Sequence, residues 1–425
     1  MTTTAETTPI RPGLTETLRG LRNHGDVVLA LILWMLVPFQ AAAWLIYGEA
    51  GASDLKWEAL SLPLLAVVVP LTLRYGDAIR PNAESIASLG LAANMAVFTV
   101  GAFAWERDGL VTGVVSGSLF ALGAIGITLI YGILKFGHFA HGDSMMLSAY
   151  LAFMFLTGSI AGEAQNHDVQ ILPFNTRDLP GAADDIWRFS FGYSLLVAMG
   201  LTALVMAVLL IGLDRAVYGP LRRRGSGIVT YSIASLGLAL VIRSLMLIFW
   251  GSDPRFYSPG IRRSTELPFQ IHILYDQIFI LGMAFAMMAA LYLLLYRTKL
   301  GKSMRAMSDN ADLSRICGIN TERTVMWTWA ISGAFVAIAG VMLGLQTQLR
   351  PELGFIILLP LFASAILGGV GSPQGALVGG LLIGIVQETS VTSGLVDPGY
   401  KFSVAAIVLI VILLVRPRGL FGRSQ

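Results

Sequence analysis

The chain is short of charge. Only 13% of its 425 residues are Asp, Glu, Lys or Arg, where a soluble domain carries about 25%, and 55% are hydrophobic. With a mean hydropathy of +0.71, it has too little polar surface for a water-soluble fold of this size, so most of the exterior must face lipid. Cysteine is nearly missing too. Cys317 stands alone, which excludes an internal disulfide and any cysteine-based metal cluster. HExxH, GxSxG and paired intramembrane aspartates are absent, so no catalytic signature is present and none calls for a metal or cofactor. No GxxxxGK[ST] occurs either; before Gly301–Lys302–Ser303 the earlier glycine is replaced by Tyr296. If ATP drives this protein, another chain binds it. GGVGSPQG at 368–375 fails as a dinucleotide fingerprint, because Gln374 falls where the third glycine belongs.

What is present is a series of long apolar runs without the alternation of barrel strands. Backbone polar groups cannot go unpaired in lipid, and one helical crossing needs about 20 apolar residues. The fold class is therefore all-α, a polytopic integral membrane protein. Runs fall at 27–47, 60–73, 85–104, 110–134, 138–156, 191–213, 228–250, 274–296, 325–348, 355–367, 375–387 and 402–415. That predicts about 10–12 crossings, fewer where 60–73 or the pair at 355–387 is broken or re-entrant. Residues 1–26 form a polar tail with Arg11, Arg19 and Arg22. Ala41–Ala43 resemble a signal-peptidase site, but the long polar lead favours an uncleaved first helix. Region 27–104 is an added membrane segment of two or three spans, and 105–425 is the main transmembrane domain.

A sequence pI near 9.0 would suggest nucleic acid in a soluble protein. Here the positive-inside rule explains it, and nucleic acid is not expected as a partner. Loops 214–227, 297–324 and 416–425 carry 13 of the 29 Lys and Arg, which places them in the cytoplasm and the acidic loop 162–187 outside.

Three constellations stand out. Segment 297–323 (RTKLGKSMRAMSDNADLSRICGINTER) inserts dense charge between two apolar runs. Lys302, Arg305, Asp309 and Asp312 fall near one another on a helix, with Met304, Met307, Ala311, Ile316 and Ile319 as an apolar stripe. Asp309 is placed to cap a short second helix, and Gly318 to end it. Such a helix suits docking into a groove on another protein; the plainer reading is a solvated loop whose charges only set topology. In FGHFAHGD at 136–143, His138, His141 and Asp143 lie within one turn beyond Tyr131. They read as a gate or proton-titrating site, or as an interfacial turn reaching the headgroups. The third is the break at Gly368, Gly369 and Gly371, either a broken helix facing a substrate path or a plain turn. Arg243, within a span, snorkels or pairs with a neighbour.

Taken together, GSLFALGAIGITLIYGILKFGHFAHGD (117–143), AVYGPLRRR (216–224) and GKSMRAMSDNADLSRICGINTER (301–323), followed by GAFVAIAGVMLG and AILGGVGSPQGALVGGLLIGI, resemble the permease subunits of bacterial ABC importers for branched-chain amino acids. The resemblance runs from about Leu110 to Arg423. It implies a permease bundle in the bacterial inner (plasma) membrane and a transport subunit, not an enzyme. It also implies ATPase subunits gripping 300–323, with Asp309, Asp312, Gly318 and Ile319 at recurring positions. A second permease subunit (or a second copy of this chain) and a periplasmic substrate-binding protein are the other implied partners. Two departures remain: the family commonly reads Asn-Phe-Ala-His-Gly-Glu where His138 and Asp143 stand, and residues 1–104 are extra. Urea or short amides are the alternative cargo. An ion-coupled secondary transporter with His138, His141 and Asp143 as proton relay is the alternative mechanism.

Overall fold

Inside lipid an α-helix satisfies its backbone N–H and C=O groups within one segment, and the apolar runs fold accordingly. The computed structural model describes residues 26–34, 36–37, scattered positions between 68 and 94, and then 107–161, 168–182, 184, 186, 188–257, 264–267, 271–394, 396–416 and 419–421. These divide into two units, one holding the residues up to 105 with 393–394 and 414–416, the other holding the rest. The expected crossings at 27–47, 60–73 and 85–104 lie largely outside the described residues. In the first unit 26–34 is helical, and Asn94 Nδ2 donates to the carbonyls of Leu33 (2.6 Å) and Gly90 (2.8 Å).

The second unit runs α1 (Arg107–Leu134), α2 (His141–Thr157), β1 (Ser159–Ala161), β2 (Asp168–Gln170), α3 (Tyr193–Leu213), α4 (Gly219–Arg223) and α5 (Ile228–Trp250). It continues with β3 (Ser264–Leu267), β4 (Ile271–Leu274), α6 (Tyr275–Arg297), α7 (Lys299–Asp309), α8 (Ala311–Ile316), α9 (Thr321–Gln346), α10 (Leu353–Gly368), α11 (Pro373–Thr392) and α12 (Lys401–Val415). Among the described residues seven helices are long and apolar enough to cross a membrane, and the chain is an all-α, multi-pass membrane protein. Helices α2 and α10 have 17 and 16 residues, about 25 Å at 1.5 Å per residue, short of the hydrocarbon thickness. Both are mostly buried among other helices, so neither needs to match the bilayer. The loops hold two small antiparallel ribbons, β1 with β2 and β3 with β4, where the backbone pairs with itself outside a helix.

Three boundaries differ from the sequence expectation. Residues 214–223, expected as a loop, stay helical: a π turn at Asp214–Tyr218 leads into α4. Pro220 cannot donate to a helical carbonyl and crowds the preceding turn, which a π turn relieves. Arg222 then donates to both carboxylate oxygens of Asp214, at 2.7 and 2.8 Å. Helix α11 outruns the apolar stretch that ended at Gln387, because Glu388 is buried with partners: Ser116 Oγ donates to it at 2.6 Å and Lys401 Nζ at 2.5 Å. The third boundary lies in the charged segment, described with the site.

Helix α1 is buried along most of its length and packs most closely on α11. Their backbones nearly touch: a Cβ on Gly113 would stand 2.7 Å from Ile385 Cα, and one on Gly117 2.8 Å from Leu381 Cα. Gly380 and Gly384 face back on Ala121 and on Gly113 and Gly117. Small residues four apart on both helices allow this approach, which in lipid supplies dispersion contact where a hydrophobic drive is missing. By contrast α5, α6 and α12 present large apolar side chains outward, among them Leu240, Ile248, Phe285 and Leu414.

The basic segments gather at one end. Lys135 Nζ, just past α1, donates to the Ser308 carbonyl of α7 at 2.9 Å, Gly371 lies beside Gly132, and Leu420 N donates to the Leu367 carbonyl.

Candidate coupling and gating sites

Helix α1 stops before Lys135, the one described non-glycine residue with positive φ (58°), and the chain re-enters helix at His141. His138 therefore sits in the connection, while His141 and Asp143 occupy the first turn of α2. All three are almost fully buried, at 1, 0 and 0% exposure, so the interfacial-turn reading is overturned. Asp143 is held by Arg243 of α5, whose Nε and Nη2 donate to Oδ1 at 3.1 and 3.0 Å and whose Nη2 also reaches Oδ2 at 3.1 Å. The guanidinium also lies over the Phe355 ring, 4.9 Å from its centroid. Pairing, not snorkelling, accounts for Arg243. A buried carboxylate is tolerable only when paired and hydrogen-bonded, and its place near a helix N-terminus helps further.

His141 Nε2 lies 2.9 Å from the Gly123 carbonyl. A carbonyl only accepts, so Nε2 carries the hydrogen there. A Cβ at Gly126 would stand 2.6 Å from the His141 ring, so that glycine makes room for it. His138 has no hydrogen-bond partner on either nitrogen among the described residues. It is enclosed by rings edge-on: Trp329 at 5.2 Å, Tyr218 at 5.8 Å and His141 at 5.8 Å between centroids. Among the described residues no three His, Cys, Asp or Glu side chains are grouped to hold a metal ion. Chemically the cluster is a rigid cross-link from α2 to α5 with two imidazoles packed in a ring cage. Trp329 and Tyr218 were missed from sequence because they come from distant segments, and no local pattern links them to the histidines.

The charged segment forms two short helices. Thr298 caps α7, its Oγ1 accepting from Gly301 N at 3.0 Å. Met304 and Met307 point inward, at 2 and 4% exposure, while Lys302, Arg305 and Asp309 are exposed. Arg305 lies over the Tyr296 ring at 4.8 Å. The cap of α8 is Asn310, not Asp309: its Oδ1 accepts from Leu313 N at 2.9 Å, and Asp309 is the last residue of α7. The reason is local geometry, since Asn310 takes the extended backbone (φ −155°) that a cap requires. The expected stripe also splits: Met304 and Met307 are buried, whereas Ile316 is 84% exposed and Leu313 57%. Leu313 was not foreseen, though its position three residues before Ile316 marks one outward face. Gly318 has φ +83° and ends the element next to exposed Cys317, with Ile319 half-buried. Asn310→Ala should cost about 1 kcal/mol of local helix stability; faster amide exchange across Ala311–Ile316, with α7 unchanged, is the expected reading.

The remaining candidate path residues separate from the histidines. Tyr131 is 36% exposed near the end of α1. Gly369 and Gly371 have φ of +101° and +89° and make the turn between α10 and α11, while Gly368 packs on the Gly375 backbone. This turn lies beside Gly132, itself against Ser308 of α7, whereas Asp143 lies against Gly354 at the other end of α10.

Comparison with known proteins follows the same stretch of chain. Residues 109–413 match the family described as "Branched-chain amino acid transport system / permease component". The high-affinity branched-chain amino acid transport system permease protein BraD of Pseudomonas aeruginosa is 31% identical over 321 residues, 74% of this chain and 95% of that protein. The corresponding LivH of Salmonella typhimurium is 30% identical over 76% of this chain and 97% of its own length. A probable LivH of Methanocaldococcus jannaschii is 28% identical over 73% of this chain. No solved structure matches the chain.

Proposed function

The chain belongs to the permease-component family of branched-chain amino acid transport systems, and we propose on that premise that it forms the membrane path of an ATP-driven importer for these amino acids in the bacterial inner membrane. ATP is hydrolysed on separate subunits that grip α7 and α8. The cargo is handed over by a periplasmic binding protein, and a second permease subunit or a second copy of this chain completes the path. The observation that carries the docking role is the outward face of α8, where Leu313 and Ile316 stand exposed beside Asp309 and Asp312. An isoleucine 84% exposed between charges is a poor solvent surface but a good anchor for a groove on a partner.

A force on α7 has a physical route inward. Met304 and Met307 seat the helix, and Lys135 clasps Ser308, so motion of α7 pulls on the connection that positions His138. The Asp143–Arg243 pair then acts as the latch between α2 and α5, with Tyr131 and the turn at Gly368, Gly369 and Gly371 on the path from the insert. Urea or short-amide cargo and proton-coupled transport find no support among the relatives.

Charge reversal at Asp309→Lys with Asp312→Lys should cut recovery of the ATPase with the purified permease by more than about tenfold, while the protein remains membrane-inserted and monodisperse. Undiminished co-purification, with ATP-dependent leucine uptake intact, would remove α8 from the docking site.

A further inference from the structure

The end of the bundle that carries α7 and α8 also holds a cleft of about 910 Å³ that the coupling reading leaves unused. Its walls come from the end of α1, the π turn and α4, the helices α7 and α8, and the start of α9. Five arginines line it against two carboxylates. Arg222 is committed to Asp214, and Arg215 contacts the Met326 thioether at 3.6 Å. Arg223, Arg315 and Arg323 are exposed residues whose side chains make no hydrogen bond or ion pair among the described residues. Three unpaired arginines lining one cleft repel one another, an arrangement that an anion between them would relieve.

Two features narrow the anion. First, the cations are all arginine, whose planar fork matches phosphate oxygens two at a time. Second, the cleft has an apolar side: Ile133, Leu134 and Ile211 come from the ends of membrane-spanning helices, and Val325 and Met326 from the start of another. A ligand filling both parts is anionic at one end and apolar at the other. An acidic peptide would meet the arginines but waste the apolar side. Basic pockets between transmembrane helices are suited to anionic headgroups for these reasons.

We propose that this cleft binds an anionic membrane phospholipid, its phosphodiester held by Arg223, Arg315 and Arg323 and its acyl stem laid on the apolar wall. Because α4, α8 and α9 each contribute one of these arginines, the lipid ties the charged insert to the transmembrane helices on either side. The proposal goes beyond the transport reading and does not depend on it, since lipid binding is read without ATP, cargo or partner.

The test uses the purified full-length protein in mild detergent, titrated with phosphatidylglycerol and, in parallel, with phosphatidylcholine, each followed by native mass spectrometry. The parent should prefer phosphatidylglycerol by at least about tenfold, and the preference should shrink as salt rises. Arg223→Gln, Arg315→Gln and Arg323→Gln combined should bring the two lipids to within about twofold of one another. Lysine at the same positions should retain part of the preference, because charge survives while the fork is lost. If the triple variant fails to fold, Arg315→Gln alone, on the exposed α8, should lower the preference measurably. The absence of any preference in the parent would overturn the proposal, as would a preference unchanged in the glutamine variants. Inorganic phosphate competing as well as the lipid would show a simple anion site and defeat the lipid assignment. Loss of ATPase co-purification in the variants with lipid preference intact would assign the arginines to a protein partner instead.

Discussion

Replacing Gly117 by Leu should lower the melting temperature further than any other single change considered. A Cβ at this position already lies 2.8 Å from Leu381 Cα, closer than real Cβ contacts, and the obstacle is backbone, which cannot rotate away as a side chain can. Overpacking a core side chain costs about 1–3 kcal/mol. Here relief requires α1 and α11 to separate along their length, so the cost reaches the upper end of that range or passes it. Against a total stability of about 5–15 kcal/mol such a loss is a large fraction. Gly384→Leu should act in the same way, since it faces Gly113 and Gly117 across the contact. The control is Gly200→Leu on α3, where nothing lies within 4 Å: this variant should match the parent, because leucine favours a helix over glycine by up to about 1 kcal/mol. Size-exclusion profile and melting temperature in detergent report the outcome. A Gly117→Leu protein melting within a few degrees of the parent would mean that the two helices are not in backbone contact.

Arg243→Ala should be the next most damaging change. It strips the partner from an Asp143 carboxylate of 0% side-chain exposure, and breaking a buried ion pair costs about 3–5 kcal/mol because the remaining charge stays stranded. Asp143→Asn should be milder, since an amide oxygen still accepts from the guanidinium. The double variant Asp143→Asn with Arg243→Gln removes both charges while keeping hydrogen-bonding groups, so most of the lost thermal stability should return. Leucine uptake in reconstituted vesicles should remain impaired in that same double variant, because a neutral pair no longer closes α2 on α5 as firmly. Restored uptake together with restored stability would reduce the pair to a structural strut, with no gating role.

The two sites were legible to different degrees, for identifiable reasons. The charged insert announced itself because 297–323 interrupts apolar sequence, and helix capping is a short-range rule. Even so, the choice between Asp309 and Asn310 turned on backbone geometry that adjacent residues do not encode; both are good caps. The histidine cluster was harder. FGHFAHGD shows three polar side chains at a helix end, and from sequence a headgroup-facing turn and a buried site read alike. The difference lies in Arg243, exactly one hundred residues on, and in Trp329 and Tyr218, none of them near in sequence. Helix α11 was foreshortened because Gln387 and Glu388 look like a water-facing terminus until Ser116 and Lys401 are seen beside Glu388.

Composition and hydropathy were enough by themselves to determine the solvent, the helical class and the end of the molecule that bears the positive charge, because lipid forbids unpaired backbone and penalises charge residue by residue. Motif order was enough to place the chain in its family. Which glycines touch, which histidine lacks a partner, which carboxylate meets Arg243 and which arginines share a cleft were decided only by the tertiary structure. Those are properties of pairs brought together across long stretches of chain, and local pattern carries no record of them.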